Sequence, residues 1–161
     1  MSEVRVGIGV DAHALEPGVP LVLGGVDVRS PRGLAGHSDG DVLAHALIDA
    51  ILGAAGLGDI GSLFPSGDAR WAGASSLDLL RRAVADVAEA GWEVVNADCV
   101  LIGEEPKIAP LREQMRDRLG EALGIERERV NVRVTTTDRL GFAGRGEGLA
   151  AQAVALVRQR G

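Results

Sequence analysis

The scarcity of large aromatic side chains is the feature of this sequence that most constrains its fold. Its 161 residues include two Phe, two Trp and no Tyr, although 46% of them are hydrophobic. The core must therefore be built from Ala, Val, Leu and Ile, which pack tightly against one another. The 23 glycines indicate many tight turns and several places where the backbone approaches another group closely. These features predict a globular protein with one sizeable core.

Charge and cysteine content argue against several functional classes. A formal net charge of −6 and a pI near 5.1 disfavour nucleic acid and anionic membranes as partners. Cys99 is the only cysteine, which excludes an internal disulfide and a cysteine-based zinc site. The amino terminus lacks the apolar core of a signal peptide, and uncharged stretches such as 50–58 are far shorter than the roughly 20 residues that cross a bilayer. We expect a soluble cytoplasmic protein, in which the domain stands alone because the chain starts just before its first predicted strand.

Hydrophobic periodicity predicts strands and helices in the order β, β, α, α, β, α, β, α. Strands are predicted over 4–10, 21–28 with a bulge or bend at Gly24–Gly25, 92–102 and 129–136, and helices over 42–55, 77–90, 111–123 and 149–158. The segment 57–73 lacks periodicity and is expected to be a long loop, and loops of that length are usually functional or mobile. The pattern predicts one α+β domain spanning 1–161, with helices packed against a mixed sheet.

Two histidines and an aspartate are candidates for a metal site. Asp11 and His13 stand two residues apart at the end of the first strand, so both side chains face one side of it. His45 lies on the next helix between Asp41 and Asp49, which share its helical face. With Asp11 and His13, His45 would complete a three-ligand site that leaves a fourth position for substrate, and Asp49 would orient the His45 ring. Each cluster alone also has a purely structural explanation. Asp11 and His13 would form a polar strand end, and Asp41 and Asp49 would form a solvated acidic helix face.

Three further features suit a phosphorylated ligand. His37 and Ser38 precede the first helix, whose N-terminal N–H groups favour an anion. The segment 135–138, Thr-Thr-Thr-Asp, offers hydroxyl and N–H donors at a strand end, and Asp138 is a candidate ligand for a hard cation such as Mg²⁺. Lys107 is the only lysine and lies in a turn between two prolines. Each feature has a structural alternative. His37 and Ser38 would lie in a solvated turn, the threonines would simply favour a strand, and Lys107 would be a chance surface residue.

Taken together, these segments resemble the 2-C-methyl-D-erythritol 2,4-cyclodiphosphate synthase family of the non-mevalonate isoprenoid pathway. The resemblance covers nearly the whole chain, and the order and spacing of the motifs are more specific than any single motif. The motifs are DAH at 11–13, LGG at 23–25, GLAGHSDGDVLAH at 33–45, DAILGAAGLGDIGSLFP at 49–65, NAD at 96–98, PKIAP at 106–110 and TTTDRLGFAGRGEGLA at 135–150.

The resemblance implies both a fold and a reaction. The implied fold is α+β, a mixed four-stranded sheet covered by helices with a β-hairpin extension, assembled as a homotrimer. The implied reaction converts 4-diphosphocytidyl-2-C-methyl-D-erythritol 2-phosphate into 2-C-methyl-D-erythritol 2,4-cyclodiphosphate with release of CMP, as a metal-dependent phosphorus–oxygen lyase. The implied cofactors are Zn²⁺ or another divalent transition metal, and Mg²⁺ or Mn²⁺ bridging the substrate diphosphate. An isoprenoid diphosphate is an implied candidate ligand of the trimer's central channel.

The resemblance also implies roles for individual residues. The metal ligands fall on Asp11, His13 and His45, with Asp138 near the second metal. His37 and Thr136 match residues that stabilise the transition state. The positions that match substrate contacts are Ser38, Asp59, Ile60 and Gly61, the flap residues Phe64, Pro65, Ser66, Gly67 and Asp68, the cytidine-binding turn of a neighbouring subunit (Gly103, Glu104, Glu105, Pro106, Lys107, Ile108 and Ala109), and Thr135, Thr137, Phe142 and Arg145.

Three positions depart from the family pattern. Val10 replaces a Phe that is usual before the DAH motif, Ser66–Gly67 replaces Asp-Thr in the flap, and Asp138 replaces a Glu near the second metal. Two other functions stay open on the sequence alone. One is a zinc-dependent phosphoester hydrolase, which would release a linear product, and the other is a non-catalytic trimer that binds a nucleotide or an isoprenoid.

Overall fold

A mixed sheet covered on one face by helices forms the protein, in a computed structural model that describes every residue from Met1 to Gly161. The strands are β1 (Val4–Pro17), β2 (Leu21–Leu23), β3 (Val26–Val28), β4 (Arg32–Leu34), β5 (Trp92–Ile102), β6 (Val130–Thr135) and β7 (Gly148–Gln159). The helices are α1 (Val42–Ala55), α2 (Ile60–Leu63), α3 (Ser76–Glu89), α4 (Arg112–Leu123) and α5 (Gly141–Gly144). The α+β prediction is therefore confirmed. No helix combines the length and the apolar character that a membrane crossing requires.

The main sheet has five strands in the order β4-β1-β7-β5-β6, one more than the four predicted. Only β5 and β6 run parallel, which makes the sheet mixed. Strands β2 and β3 form a separate two-stranded sheet. Gly24 and Gly25 join them with φ angles of 57° and 74°, a left-handed pair suited to a tight two-residue hairpin. The β-hairpin extension is therefore present, whereas the single bent strand predicted over 21–28 is wrong.

The C-terminal segment is the largest difference from the sequence prediction. The helix expected over 149–158 is wrong, because β7 occupies this segment and lies between β1 and β5 in the sheet. Its alanines are good helix formers, but propensity is a weak prior that tertiary packing overrides. Ala151, Ala153, Ala155 and Val157 are almost fully buried and alternate along the chain, which is the two-residue period of a strand.

Helix α1 is the buried centre of the protein and crosses β1 at very short range. Twelve of its residues are buried, which explains its run of Ala, Leu and Ile without a polar face. A Cβ built on Gly7 would lie 2.0 Å from the Ala50 carbonyl oxygen, and one on Gly9 would lie 1.8 Å from the Ala46 oxygen. Only glycine permits this approach. The contact matters for function because His45 is next to Ala46.

The start of α1 is fixed by Asp41, its N-terminal capping residue. The buried carboxylate of Asp41 accepts hydrogen bonds from the backbone N–H groups of Ala44 at 3.1 Å, Gly24 at 2.9 Å and Gly25 at 2.7 Å. It therefore caps the helix and ties the β2–β3 hairpin to it. Burial raises the pKa of Asp41 to about 6, against the opposing effect of the three N–H donors.

Other predicted boundaries agree with the structure to within one or two residues, with two exceptions. β1 continues to Pro17, well past the predicted end at Val10. The segment 57–73 contains α2 and a short 3₁₀ turn, Ala69–Trp71, instead of being loop throughout.

Candidate active site

Asp11, His13 and His45 bring three ligand atoms together at the end of the contact between β1 and α1. Asp11 Oδ2 lies 2.8 Å from His13 Nε2 and 3.1 Å from His45 Nδ1, and the two ring nitrogens are 3.2 Å apart. A tetrahedral Zn²⁺ with bonds of about 2.0 Å would separate its ligand atoms by about 3.3 Å. The triangle is slightly tighter than that and needs only a small outward movement of the side chains. The residues fit a divalent metal.

The second nitrogen of each ring has a protein partner, which leaves the nitrogen in the triangle available. His45 Nε2 lies 2.8 Å from Ser76 Oγ and 2.9 Å from Ser38 Oγ. His13 hydrogen-bonds to the Ala35 backbone carbonyl, which accepts from the ring. Such contacts set the orientation of metal-binding histidines.

The electrostatics of the three side chains suit a metal ligand set. Burial opposes ionisation of Asp11, but hydrogen bonds and charge interactions with His13 and His45 outweigh it and hold its pKa at about 2. Its hydrogen bond to Asp11 raises the pKa of His13. Asp11 is therefore a carboxylate at all ordinary pH values. A proton on His13 would compete with a metal, so metal binding should weaken as the pH falls.

Asp49 does not orient the His45 ring, contrary to the sequence prediction. Its Oδ1 accepts a hydrogen bond from the Ile60 backbone N–H at 2.7 Å, and the two serines already occupy His45 Nε2. Asp49 instead ties α1 to the start of α2, and burial raises its pKa. The (i, i+4) spacing places Asp49 on the same helix face as His45, but its carboxylate hydrogen-bonds to the first residue of α2 and not to the ring.

The triad lines a cavity of about 470 Å³ together with several of the predicted substrate-binding residues. Predicted residues that line it are His37, Ser38, Ile60, Gly61, Phe64, Pro65, Ser66 and Gly67. Asp59 caps α2 from the preceding position and accepts hydrogen bonds from the N–H and hydroxyl of Ser62, both at 2.8 Å. His37 Nε2–H donates to the Asp68 carbonyl at 3.1 Å, so His37 contacts the predicted flap. The expected neighbourhood of the triad is therefore present.

A second group of predicted residues lies apart from this cavity. The parallel pairing of β5 with β6 places Ile102 opposite Thr135, and Gly103 N–H donates to the Thr135 carbonyl at 3.0 Å. Arg139 N–H donates to Glu104 at 3.0 Å, which joins the segment 103–109 to the turn after β6. Lys107 donates to the Glu104 carbonyl at 3.0 Å and stays exposed. We call the residues 103–109 and 135–139 the turn group.

The turn group contains Thr136 and Asp138. The resemblance implies that Thr136 stabilises the transition state and that Asp138 lies near the second metal. Asp138 N–H donates to Thr136 Oγ1 at 3.3 Å, and Asp138 has a φ of 51°. No member of the turn group lines the cavity of the triad. Lys107, Glu104 and Glu105 line a separate hollow of about 400 Å³ with Arg139 and Arg145. Phe142 is exposed and shares a shallow surface with His13. Within one chain, the predicted site residues are therefore divided between two places.

Four residues of the cavity and its surroundings were missed as site residues. Trp71 and Leu79 line the cavity, and Trp71 packs edge-on against Phe64 with ring centroids 5.0 Å apart. Ser76 and Asp39 lie behind His45. Nothing in their spacing along the chain signals that Ser76 contacts a histidine on another helix and Asp39 contacts Ser76.

A family model described as the YgbB family matches residues 4–158. The chain belongs to the YgbB family. It is 57% identical over 155 residues to 2-C-methyl-D-erythritol 2,4-cyclodiphosphate synthase of Symbiobacterium thermophilum, which covers 96% of this chain and 99% of that protein.

Solved structures agree with this assignment. The bifunctional IspDF of Campylobacter jejuni superposes with a TM-score of 0.95 at 42% identity, over 99% of this chain and 43% of that one, so this chain spans less than half of the bifunctional protein. A CDP-bound structure of 2C-methyl-D-erythritol-2,4-cyclodiphosphate synthase superposes with a TM-score of 0.87 at 40% identity, over 95% of this chain and 99% of that one.

Proposed function

We propose that this chain converts 4-diphosphocytidyl-2-C-methyl-D-erythritol 2-phosphate into 2-C-methyl-D-erythritol 2,4-cyclodiphosphate and CMP. The observation that carries the proposal is the Asp11–His13–His45 triad at the wall of a cavity of about 470 Å³, in a chain whose full-length relatives carry the synthase name. The CDP-bound relative supports a cytidine nucleotide as part of the substrate. The activity would be that of a metal-dependent phosphorus–oxygen lyase.

The reaction is an internal displacement at phosphorus and consumes no water. An oxygen of the 2-phosphate attacks the β-phosphorus of the diphosphate and forms the new P–O bond. The bond from the β-phosphorus to the oxygen shared with the α-phosphate breaks, and CMP leaves with that electron pair. Because nucleophile and electrophile belong to one molecule, the enzyme has mainly to hold the substrate bent and to offset the charge of closely placed phosphates.

We assign the metal sites of this proposal to two sets of residues. Asp11, His13 and His45 would hold Zn²⁺ or another divalent transition metal, and Asp138 would contribute to a site for Mg²⁺ or Mn²⁺ at the diphosphate. When bound, such ions supply Lewis acidity that stabilises the developing charge on phosphoryl oxygens. The histidine and carboxylate donors of the first set suit a transition metal, whereas an isolated carboxylate suits a hard cation.

The protein's own residues would bind and orient the phosphates. His37 and Thr136 would donate hydrogen bonds to the reacting phosphoryl group, and Ser38 would donate to a phosphate oxygen. The segment 59–61 would bind the methylerythritol hydroxyls. The flap has Ser66 and Gly67 in place of larger polar residues. It would cover the substrate and exclude water from the site while the phosphates react. Thr135, Thr137 and the segment 103–109 would bind the cytidine end.

We also propose that the active protein is a homotrimer whose sites lie between subunits. The separation of the turn group from the triad within one chain supports this, because a neighbouring chain would then supply the turn group, Phe142 and Arg145. The sheet face away from the helices supports it as well. Val4, Val6, Ile8 and Val10 are 58–67% exposed in the isolated chain, and Val154, which pairs with Ile8 in the sheet, extends this apolar surface. Uncovered apolar patches of this kind mark interfaces.

Replacing Ile8 with arginine should dissociate the trimer, because the charge would have to be desolvated in the apolar interface. The expected mass by light scattering is that of a trimer for the wild-type protein and of a monomer for Ile8→Arg. Ala85→Arg, at an exposed position of α3, is the matched control and should stay trimeric. A wild-type monomer, or a trimeric Ile8→Arg variant, would contradict the proposed interface.

The proposed reaction is tested by phosphorus NMR with purified protein, Zn²⁺, Mg²⁺ and the cytidylylated substrate. The expected result is stoichiometric formation of the cyclic diphosphate and CMP. A linear phosphate product would instead identify a hydrolase that activates water. Tight nucleotide binding without turnover would identify a binding protein. The cytoplasmic location, the isoprenoid diphosphate in the channel and the assignment of 1–161 to one cyclodiphosphate-synthase domain stay predictions.

A further inference from the structure

We propose that Ser76 and Asp39 are positioning residues that fix the ring of His45 for metal binding. The inference rests on the metal site of the proposed function and assigns a role to two residues outside the ligand triad. Its basis is a hydrogen-bonded chain that runs from His45 through Ser76 to Asp39. All three side chains are buried or partly buried, and they come from α1, the first residue of α3 and the loop before α1.

The direction of each hydrogen bond in this chain follows from the chemistry of its last member. The Asp39 carboxylate can only accept, and it accepts from both the hydroxyl and the backbone N–H of Ser76, the latter at 3.0 Å. The single hydroxyl hydrogen of Ser76 is thereby committed to Asp39. Ser76 Oγ, 2.8 Å from His45 Nε2, can then act only as an acceptor toward the ring.

The consequence for His45 is a defined tautomer. Nε2 carries the hydrogen because its partner Ser76 must accept, and Nδ1 keeps a lone pair. Nδ1 is the nitrogen that lies 3.1 Å from Asp11 Oδ2 and 3.2 Å from His13 Nε2, inside the ligand triangle. The chain therefore holds the ring in the tautomer and the rotation that a metal requires. In many metal sites a carboxylate accepts directly from the histidine ring. Here Ser76 lies between the ring of His45 and the Asp39 carboxylate.

Ser38 also contacts His45 Nε2, but its situation differs from that of Ser76. Ser38 Oγ lies 2.9 Å from the ring nitrogen and lines the cavity, whereas Ser76 is fully buried and does not line it. Ser38 Oγ also lies 3.3 Å from Ser76 Oγ, a longer contact, but it has no carboxylate acceptor, so a phosphate oxygen in the cavity can take its hydroxyl hydrogen. Ser76 thus positions the metal ligand, and Ser38 remains free to donate to a phosphate oxygen.

The test measures zinc binding by competition with a chromophoric chelator. Ser76→Ala should weaken Zn²⁺ binding by about 10-fold, at the lower end of the range for such partners because Ser38 remains. Ser75→Ala is the matched control, since Ser75 is exposed, adjacent in sequence and makes no side-chain cap hydrogen bond. It should bind zinc like the wild-type protein. At saturating zinc, Ser76→Ala should regain wild-type turnover, which a collapsed site would not.

A second measurement needs no variant. Because the chain contains only three histidines, long-range nitrogen–proton NMR of the metal-free protein at about pH 8, where imidazole is neutral, resolves the tautomer of His45. The expected form carries the hydrogen on Nε2. The opposite tautomer in the wild-type protein, or unchanged zinc affinity in Ser76→Ala, would overturn the inference. A wild-type protein that binds no zinc would instead remove the metal site of the proposed function.

Discussion

Replacing Gly9 with valine should leave little folded protein, because the new side chain would occupy space that helix α1 already fills. Even a single Cβ at this position would lie 1.8 Å from the Ala46 carbonyl oxygen and 2.8 Å from the Ala50 N–H nitrogen. Both atoms are backbone and cannot rotate away. Gly9→Ala should therefore lower the free energy of unfolding by about 3 kcal/mol, the upper end of ordinary overpacking costs. Urea denaturation of both variants measures the effect.

The matched control is Gly53→Ala on the same helix. A Cβ at Gly53 would meet only the Ile8 carbonyl oxygen, at 3.9 Å, which is ordinary contact. Because alanine favours a helix more than glycine does, this variant should be more stable by up to about 1 kcal/mol. A Gly9→Ala protein as stable as the wild type would show that β1 and α1 are not held this closely.

The same contact links the fold to the site. Gly9 lies two residues before Asp11, and Ala46 follows His45, so any separation of β1 from α1 also separates the metal ligands. The folded fraction of Gly9→Ala should for this reason bind Zn²⁺ more weakly than the wild-type protein. Glycine where β1 crosses α1 is thus a condition for the ligand triangle.

Local patterns in the sequence were sufficient for most elements. Strand β5 was predicted with its observed bounds, and α1, α3 and α4 within one residue or so, because apolar periodicity and caps such as Asp41 act over short distances. The segment of β7 was predicted as a helix, but its buried residues alternate with the two-residue period of a strand. The fifth strand of the sheet, β4, has only three residues and too little pattern to be recognised.

The site was predictable as a set of residues and much less so as an arrangement. The motifs included the triad and the cavity residues, whereas the helical spacing put Asp49 behind His45, where Ser76 lies instead. Ser76 is 31 residues from His45 and reaches it only because α3 packs beside α1. Contacts of this kind depend on how helices are placed relative to one another, which no local pattern encodes.

Mixing two inactive variants should restore activity if the site lies between subunits. His45→Ala removes a metal ligand and should lower turnover by at least roughly 1000-fold with the fold retained. Lys107→Glu places a negative charge in the turn group and should lower turnover strongly by repelling the substrate phosphates. In a cyclic trimer assembled at random from equal amounts of both, about one quarter of the sites combine an intact triad with an intact neighbouring turn group.

Co-refolded or co-expressed mixtures should therefore show about a quarter of wild-type turnover, far above either variant alone. A mixture of His45→Ala with Asp11→Ala is the matched control, because both changes affect the triad and no combination of subunits rebuilds it. It should stay inactive. Were each site formed within one chain, every chain of the first mixture would carry a defect and no activity would return. The recovery thus depends on the feature that distinguishes the two arrangements, the source of the turn group, and not on the strength of any single contact.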